Sequence, residues 1–164
     1  MTSSTVRMRQ IMDFSAAIWG GIVGGLAFLM VQIVMSTWLL SSSIWVPFRW
    51  NASIIMGPAV LPPPADFAFG PVLVGLIVHF ALSILFSIII AFCVHRGGLI
   101  MGIVGGAILG LALYAINYFT LTLLFPWFFA IRHWLLAIGH MLFGAIAAGV
   151  YEGLEVEEFV PAEE

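Results

Sequence analysis

Residues 71–94 read PVLVGLIVHFALSILFSIIIAFCV, 24 positions without one Asp, Glu, Lys or Arg. A helix of that length rises about 36 Å at 1.5 Å per residue, enough to cross the roughly 30 Å hydrocarbon core of a bilayer. Pro71 falls in the first turn, where its missing N–H costs nothing. The stretch predicts a membrane-spanning helix.

Working outward, the short turn His95, Arg96, Gly97, Gly98 closes this span, and a second apolar run over residues 99–125 is stopped by Pro126. A further run, residues 131–151, starts beside Trp127, Phe128, Phe129, Arg132, His133 and Trp134, a mixture of aromatic and basic groups that reads as an interfacial belt. On the other side, residues 15–40 are too long, and lack the small-residue cleavage site, for a removable signal peptide. The pattern predicts an all-α integral membrane protein: an antiparallel bundle of four transmembrane helices (15–40, 71–94, 99–125 and 131–151) without a β-sheet. Only helices satisfy their own backbone groups in lipid, apart from closed barrels.

Composition agrees, with 63% of the 164 residues hydrophobic, 8% charged and a mean hydropathy of +1.17. Such a chain cannot clothe a soluble domain in polar surface. At roughly 20 residues per span it has no length left for a separate catalytic domain. All 5 cations are Arg and none cluster, which excludes a nucleic-acid stripe or a polybasic lipid tail. The lone Cys93 permits neither an internal disulfide nor a thiolate cluster and reads as a small hydrophobe. Residues 1–14 form a polar N-terminal segment with Arg7 and Arg9. Residues 152–164 form an acidic tail expected to be a solvated or disordered end, with six of the eight acidic residues.

The connection over residues 41–70 holds Pro47, Pro58, Pro62, Pro63 and Pro64, which bar a continuous helix through it. Its apolar content is wrong for a solvated linker. It is expected to be ordered at the interface, with Trp45, Phe48 and Trp50 packed there and Arg49 paired with a phosphate, Asp66 or a partner. With Trp127, Arg132 and Trp134 it forms a candidate docking surface. Arg7, Arg9 and Arg96 on the side of the termini, against Arg49 and Arg132 opposite, place both termini in the cytoplasm. Trp38, Trp45, Trp50, Trp127 and Trp134 then mark the outer interface.

Small residues recur at helical spacing: Gly21 and Gly25, then Gly102, Gly106 and Gly110, then Ala137, Gly144 and Ala148. Membrane helices approach through such stripes, and internal packing takes them before a homodimer does. Each span also carries one polar residue on this small face, about eight or nine residues from its outer end: Gln32, His79, Asn117 and His140. At 1.5 Å per residue all four lie roughly 12 Å deep, which predicts a polar cluster inside the bundle. It could fix helix register. It could bind haem or another tetrapyrrole between His79 and His140, with Gly75 leaving room, or line a proton or solute path. No second histidine pair and no ionisable partner within the spans accompany it, so no cofactor and no metal are expected, with haem the alternative. No carboxylate pair or Ser/His/Asp set converges there, so the chain is not expected to be an enzyme. His95 and His133 lie at opposite membrane edges and read as interfacial caps.

The order of G-x-x-x-G in the first span, a proline-containing outer loop, GLIVHFALS around His79, a glycine ladder and the closing GHMLFGAIAAGVY is similar to small, uncharacterised four-helix inner-membrane proteins of bacteria. That resemblance covers residues 16–151 and implies a bacterial inner membrane, with no activity or site to carry over. The function expected is that of a non-catalytic accessory subunit of a larger membrane complex, respiratory or photosynthetic in type. Lipid and other membrane subunits are its expected partners. The alternative is an autonomous small carrier, channel or haem protein that uses the His79 and His140 layer.

Overall fold

Backbone amides that leave the aqueous edge of this chain have only each other for partners, and helices absorb nearly all of them. The computed structural model describes residues 8–161. In order it contains β1 (Met8–Ile11), α1 (Phe14–Val34), α2 (Val46–Met56), α3 (Phe69–Val94), α4 (Gly98–Ala115), α5 (Trp134–Leu154) and β2 (Glu158–Pro161). α1 runs on through a π-helical turn, Met35–Leu39. α4 runs on through a π turn, Ile116–Thr120, and a 3-10 turn, Leu121–Leu123. Four stretches, Phe14–Leu39, Phe69–Val94, Gly98–Leu123 and Trp134–Leu154, are long and apolar enough to cross a membrane. The chain is a mostly helical membrane protein. Arg7 and the last residues of the acidic tail, 162–164, lie outside the described residues.

Local chemistry sets the boundaries. The Asp13 carboxylate accepts from the Ala16 N–H at 3.1 Å and caps α1. His133 Nδ1 accepts from the Leu135 N–H at 3.2 Å and caps α5, while His95 Nδ1 donates to the Phe92 carbonyl at the end of α3. Pro126–Ile131 form a 3-10 segment, so the last span starts at Trp134 and not near residue 131. The prolines of the 41–70 connection bracket a helix. Pro47 occupies the first turn of α2, and Gly57, at φ 78°, turns the chain out of it ahead of Pro58.

The glycines decide which helices touch. A Cβ on Gly144 would strike the Gly106 carbonyl, one on Gly110 the His140 carbonyl, and one on Gly20 the Ala147 carbonyl; one on Gly21 would lie 2.6 Å from Ile84 Cα. α5 therefore packs directly on α4 and α1, and α1 on α3, at backbone-to-backbone distance. Along each of these contacts residue numbers rise on one helix as they fall on the other. Ala16, Ala17, Ile90, Ala91, Ala147, Ala148 and Tyr151 fill the core so formed. α3 and α4, though joined by one short turn, make few contacts with each other.

The expectation of no β-sheet is corrected: the described tail is largely exposed, yet its residues 158–161 pair as a strand. β1 and β2 pair antiparallel, Gln10 opposite Phe159 and Ile11 opposite Glu158. The cause is the packing of α1 on α5, which brings the chain entering one beside the chain leaving the other. Asp13 fastens the junction, since its second oxygen accepts from the Val156 N–H at 3.2 Å. Both ends of the described chain thus lie together, opposite α2 and the Pro126–Ile131 segment. We call these two ends of the molecule the termini end and the loop end.

Candidate functional site

The polar residue of α5 is held in one tautomer. His140 Nδ1 lies 2.7 Å from the Leu136 carbonyl, which can only accept, so Nδ1 carries the proton. Nε2 is then the acceptor, and Asn117 Nδ2 donates to it at 3.2 Å. His140 is neutral with both nitrogens engaged. His79, on α3, donates from Nε2 to the Gly25 carbonyl at 2.8 Å. Its Nδ1 is left as an acceptor without a protein partner among the described residues. The ring of Phe28, on α1, packs against both imidazoles, its centroid 4.4 Å from that of His140 and 6.0 Å from that of His79. A macrocycle held by both histidines would have to displace Phe28 and free a nitrogen of His140. The space beside Gly75 is taken by the Phe48 backbone, so that glycine serves the approach of α2.

Gln32, the fourth member of the layer, joins α2. Asn51 Nδ2 donates to Gln32 Oε1 at 3.3 Å and to the Pro47 carbonyl at 2.8 Å. α2 is seated on α3, with Trp50 9% exposed, and Trp127 Nε1 donates to the Ser53 hydroxyl at 2.9 Å. Trp50 is therefore corrected from an interfacial anchor to a buried one, because α2 turns it inward. Trp45 and Phe48 pack on each other, with Trp45 against Phe67 as well. Arg49 donates to the main-chain carbonyls of Val60 and Asp66, at 3.0 and 2.9 Å, and ties the end of the connection to α2; its contact with Asp66 is to the backbone. Arg132 stands over the Phe129 ring at 3.5 Å, and Trp134 is exposed.

Among these helices lies a partly open cavity of about 170 Å3. Phe28, Trp50, Phe86, Tyr118, Phe128 and Phe143 form its apolar walls, and Gln32, Asn51, His79, Ser83, Asn117 and His140 its polar points. No Asp, Glu, Lys, Arg or Cys lines it. The π turn of Ile116–Thr120 matters here, since widening the helix lets the consecutive residues Asn117 and Tyr118 both reach the cavity. The structure thus brings His79, His140 and Asn117 to one site and attaches Gln32 to its rim through Asn51. Asn51, Phe28, Trp50 and Tyr118 were missed by reading each span's polar residue alone. The signal for Asn51 was its place four residues after Pro47, on one face of a short helix with Trp50.

Among the described residues no group of three or more His, Cys, Asp and Glu is placed to hold a metal ion. No protein-family model matches the chain, and no curated protein or solved structure matches it.

Proposed function

We propose that the chain is a non-catalytic protein of the bacterial inner membrane whose four spans form an antiparallel bundle, and that it binds one small amphipathic molecule in the cavity at its loop end. The observation that carries this reading is the cavity: about 170 Å3 kept open among aromatic walls, with hydrogen-bonding groups converging on it. Interiors are close-packed, and a void of this size costs stability unless something fills it. Apolar cavities of about 150 Å3 take up a benzene-sized guest. Ligand sites combine such walls with a few polar groups that fix orientation. The absence of carboxylates, cations and thiols from the lining supports binding over chemistry. β1 and β2 pair the chain ends and Arg96 lies near Gln10 and Ile11, and the arginine count supports a cytoplasmic setting for them.

Native mass spectrometry of the protein released from mild detergent tests the reading. The expected result is the 17.9 kDa chain carrying a small molecule that organic solvent removes. A bare chain from native membranes, with no guest taken up from added membrane lipid extract, overturns it.

A second reading, an accessory subunit of a larger complex, is favoured by one observation. Trp38 (84% exposed), Leu123, Phe129 and Trp134 leave a wide aromatic and aliphatic collar uncovered at the loop end. Co-migration with a large complex in native electrophoresis would support it, and a lone chain would oppose it.

A further inference from the structure

We propose that the cavity admits its guest sideways from the bilayer, between α3 and α4, and that it selects a lipid-soluble ring with neutral oxygen substituents, of the quinone and hydroquinone class. The guest's oxygenated ring occupies the cavity while its apolar tail stays in lipid. The inference rests on the guest-binding reading above and names the guest's class and route.

The route follows from packing. α4, α5, α1 and α3 adjoin in that order, and the last pair needed to close the ring, α3 with α4, is barely in contact. The cavity is open, and its half-exposed lining residues are Leu82 and Phe86 on α3, Leu113, Asn117 and Leu121 on α4 and its extension, and residues of α2 and the 125–128 segment above them. α2 and Trp127 cover the loop end. The way in is therefore a gap flanked by leucine and phenylalanine, at a depth where only lipid lies outside.

The class follows from the unspent hydrogen-bonding atoms. His79 Nδ1, Asn117 Oδ1 and Asn51 Oδ1 are acceptors with no protein donor among the described residues, and the Gln32 amide, the second N–H of the Asn117 amide and the Ser83 and Tyr118 hydroxyls are donors with no protein acceptor. Gln32 and His79, 5% and 3% exposed, both line the cavity, so a guest there meets their free polar atoms. A phosphate or ammonium head has no counter-charge here and is rejected by desolvation. A neutral ring fits the volume and the aromatic walls. Unspent donors and acceptors together favour a ring bearing oxygen substituents, hydroxyl or carbonyl, over a bare hydrocarbon ring.

The test uses full-length protein in nanodiscs of synthetic phosphatidylcholine, titrated anaerobically with a decyl-substituted hydroquinone, its oxidised quinone and decylbenzene, with tryptophan fluorescence as the readout. Hydroquinone and quinone are expected to bind saturably at one site, each about tenfold more tightly than decylbenzene, the factor that one neutral hydrogen bond supplies. His79→Phe is expected to abolish the hydroquinone's preference. Should this variant not yield monodisperse protein, Asn117→Ala, at a half-exposed position, is expected to reduce it. Leu113→Trp, which plugs the gap, is expected to abolish binding of all three without lowering the melting temperature. Decylbenzene binding as tightly as hydroquinone overturns the class and leaves guest binding standing. Undiminished binding in Leu113→Trp overturns the route. No binding of any probe, with a different guest retained in native mass spectra, overturns the inference alone; with no guest in either experiment, both readings fall.

Discussion

The same helices behave differently in the two halves of the molecule. Toward the termini, Gly20, Gly21, Gly106 and Gly144 let backbones meet, and Ala16, Ala17, Ala147 and Ala148 fill what is left. Toward the loops, backbones still meet at Gly110 with His140 and at Gly75 with Phe48, but Phe28, Trp50 and Tyr118 stand among the helices, both π turns occur, and a cavity remains. Lipid supplies no hydrophobic drive for helix association, so close backbone packing must hold the bundle together. The termini half does most of this holding. The loop half is thereby free to carry polar groups and empty space, which by themselves weaken a bundle.

The contrast predicts opposite responses to added volume. Gly144→Leu drives a side chain into the Gly106 backbone and is expected to destabilise by about 3 kcal/mol or more, seen as loss of the monodisperse peak in size-exclusion chromatography. Leu121→Phe adds a smaller bulk, but at the cavity wall, and is expected to stay within about 1 kcal/mol of the parent in thermal unfolding. If the two variants behave alike, the halves do not differ as described.

Next in size is His140→Leu, which strips Asn117 of its acceptor inside the bundle. An expected cost of roughly 1 to 3 kcal/mol should lower the melting temperature while leaving the four spans folded by circular dichroism. Unchanged stability would mean that the polar layer does not tie α4 to α5. Trp127→Phe is expected to cost about 1 kcal/mol by removing one hydrogen bond to Ser53, and to loosen α2 specifically. Faster hydrogen exchange confined to Val46–Met56 would show it, whereas exchange rising along α1 as well would make α2 part of the frame.

The smallest effect belongs to the strand pair. The Ala16 N–H, followed by that of Val156, holds the Asp13 carboxyl below the usual carboxylate range in spite of some desolvation. A depressed carboxylate contributes its stability above its unfolded value and loses it as pH falls through the folded one. Spin labels at Gln10 and Phe159 should report one short distance at neutral pH, broadening only in acid below the ordinary carboxylate range. Asp13→Ala should broaden it at neutral pH, with about 1 kcal/mol of helix capping lost. A sharp distance in that variant would mean that the ladder alone holds the ends.

Four spans, their approximate limits and the small-residue stripes can be read from the sequence, because hydropathy and helical spacing are local properties that need no knowledge of neighbours. The stripe of Gly102, Gly106 and Gly110 was legible as a packing face, but that it meets α5 is a tertiary fact. Likewise His79, Asn117 and His140 announced themselves as costly polar groups in apolar surroundings, since any such group needs a partner. Which partner each took was not written locally. His140 found Asn117 from another helix, His79 found the backbone carbonyl of Gly25, and Gln32 found Asn51 on a helix that the prolines of the connection had concealed. The meeting of β1 with β2, 147 positions apart (158 − 11), depended on the packing of α1 beside α5. The cavity is the most tertiary feature of all, because a void is defined by the helices that fail to close around it, and no residue encodes an absence.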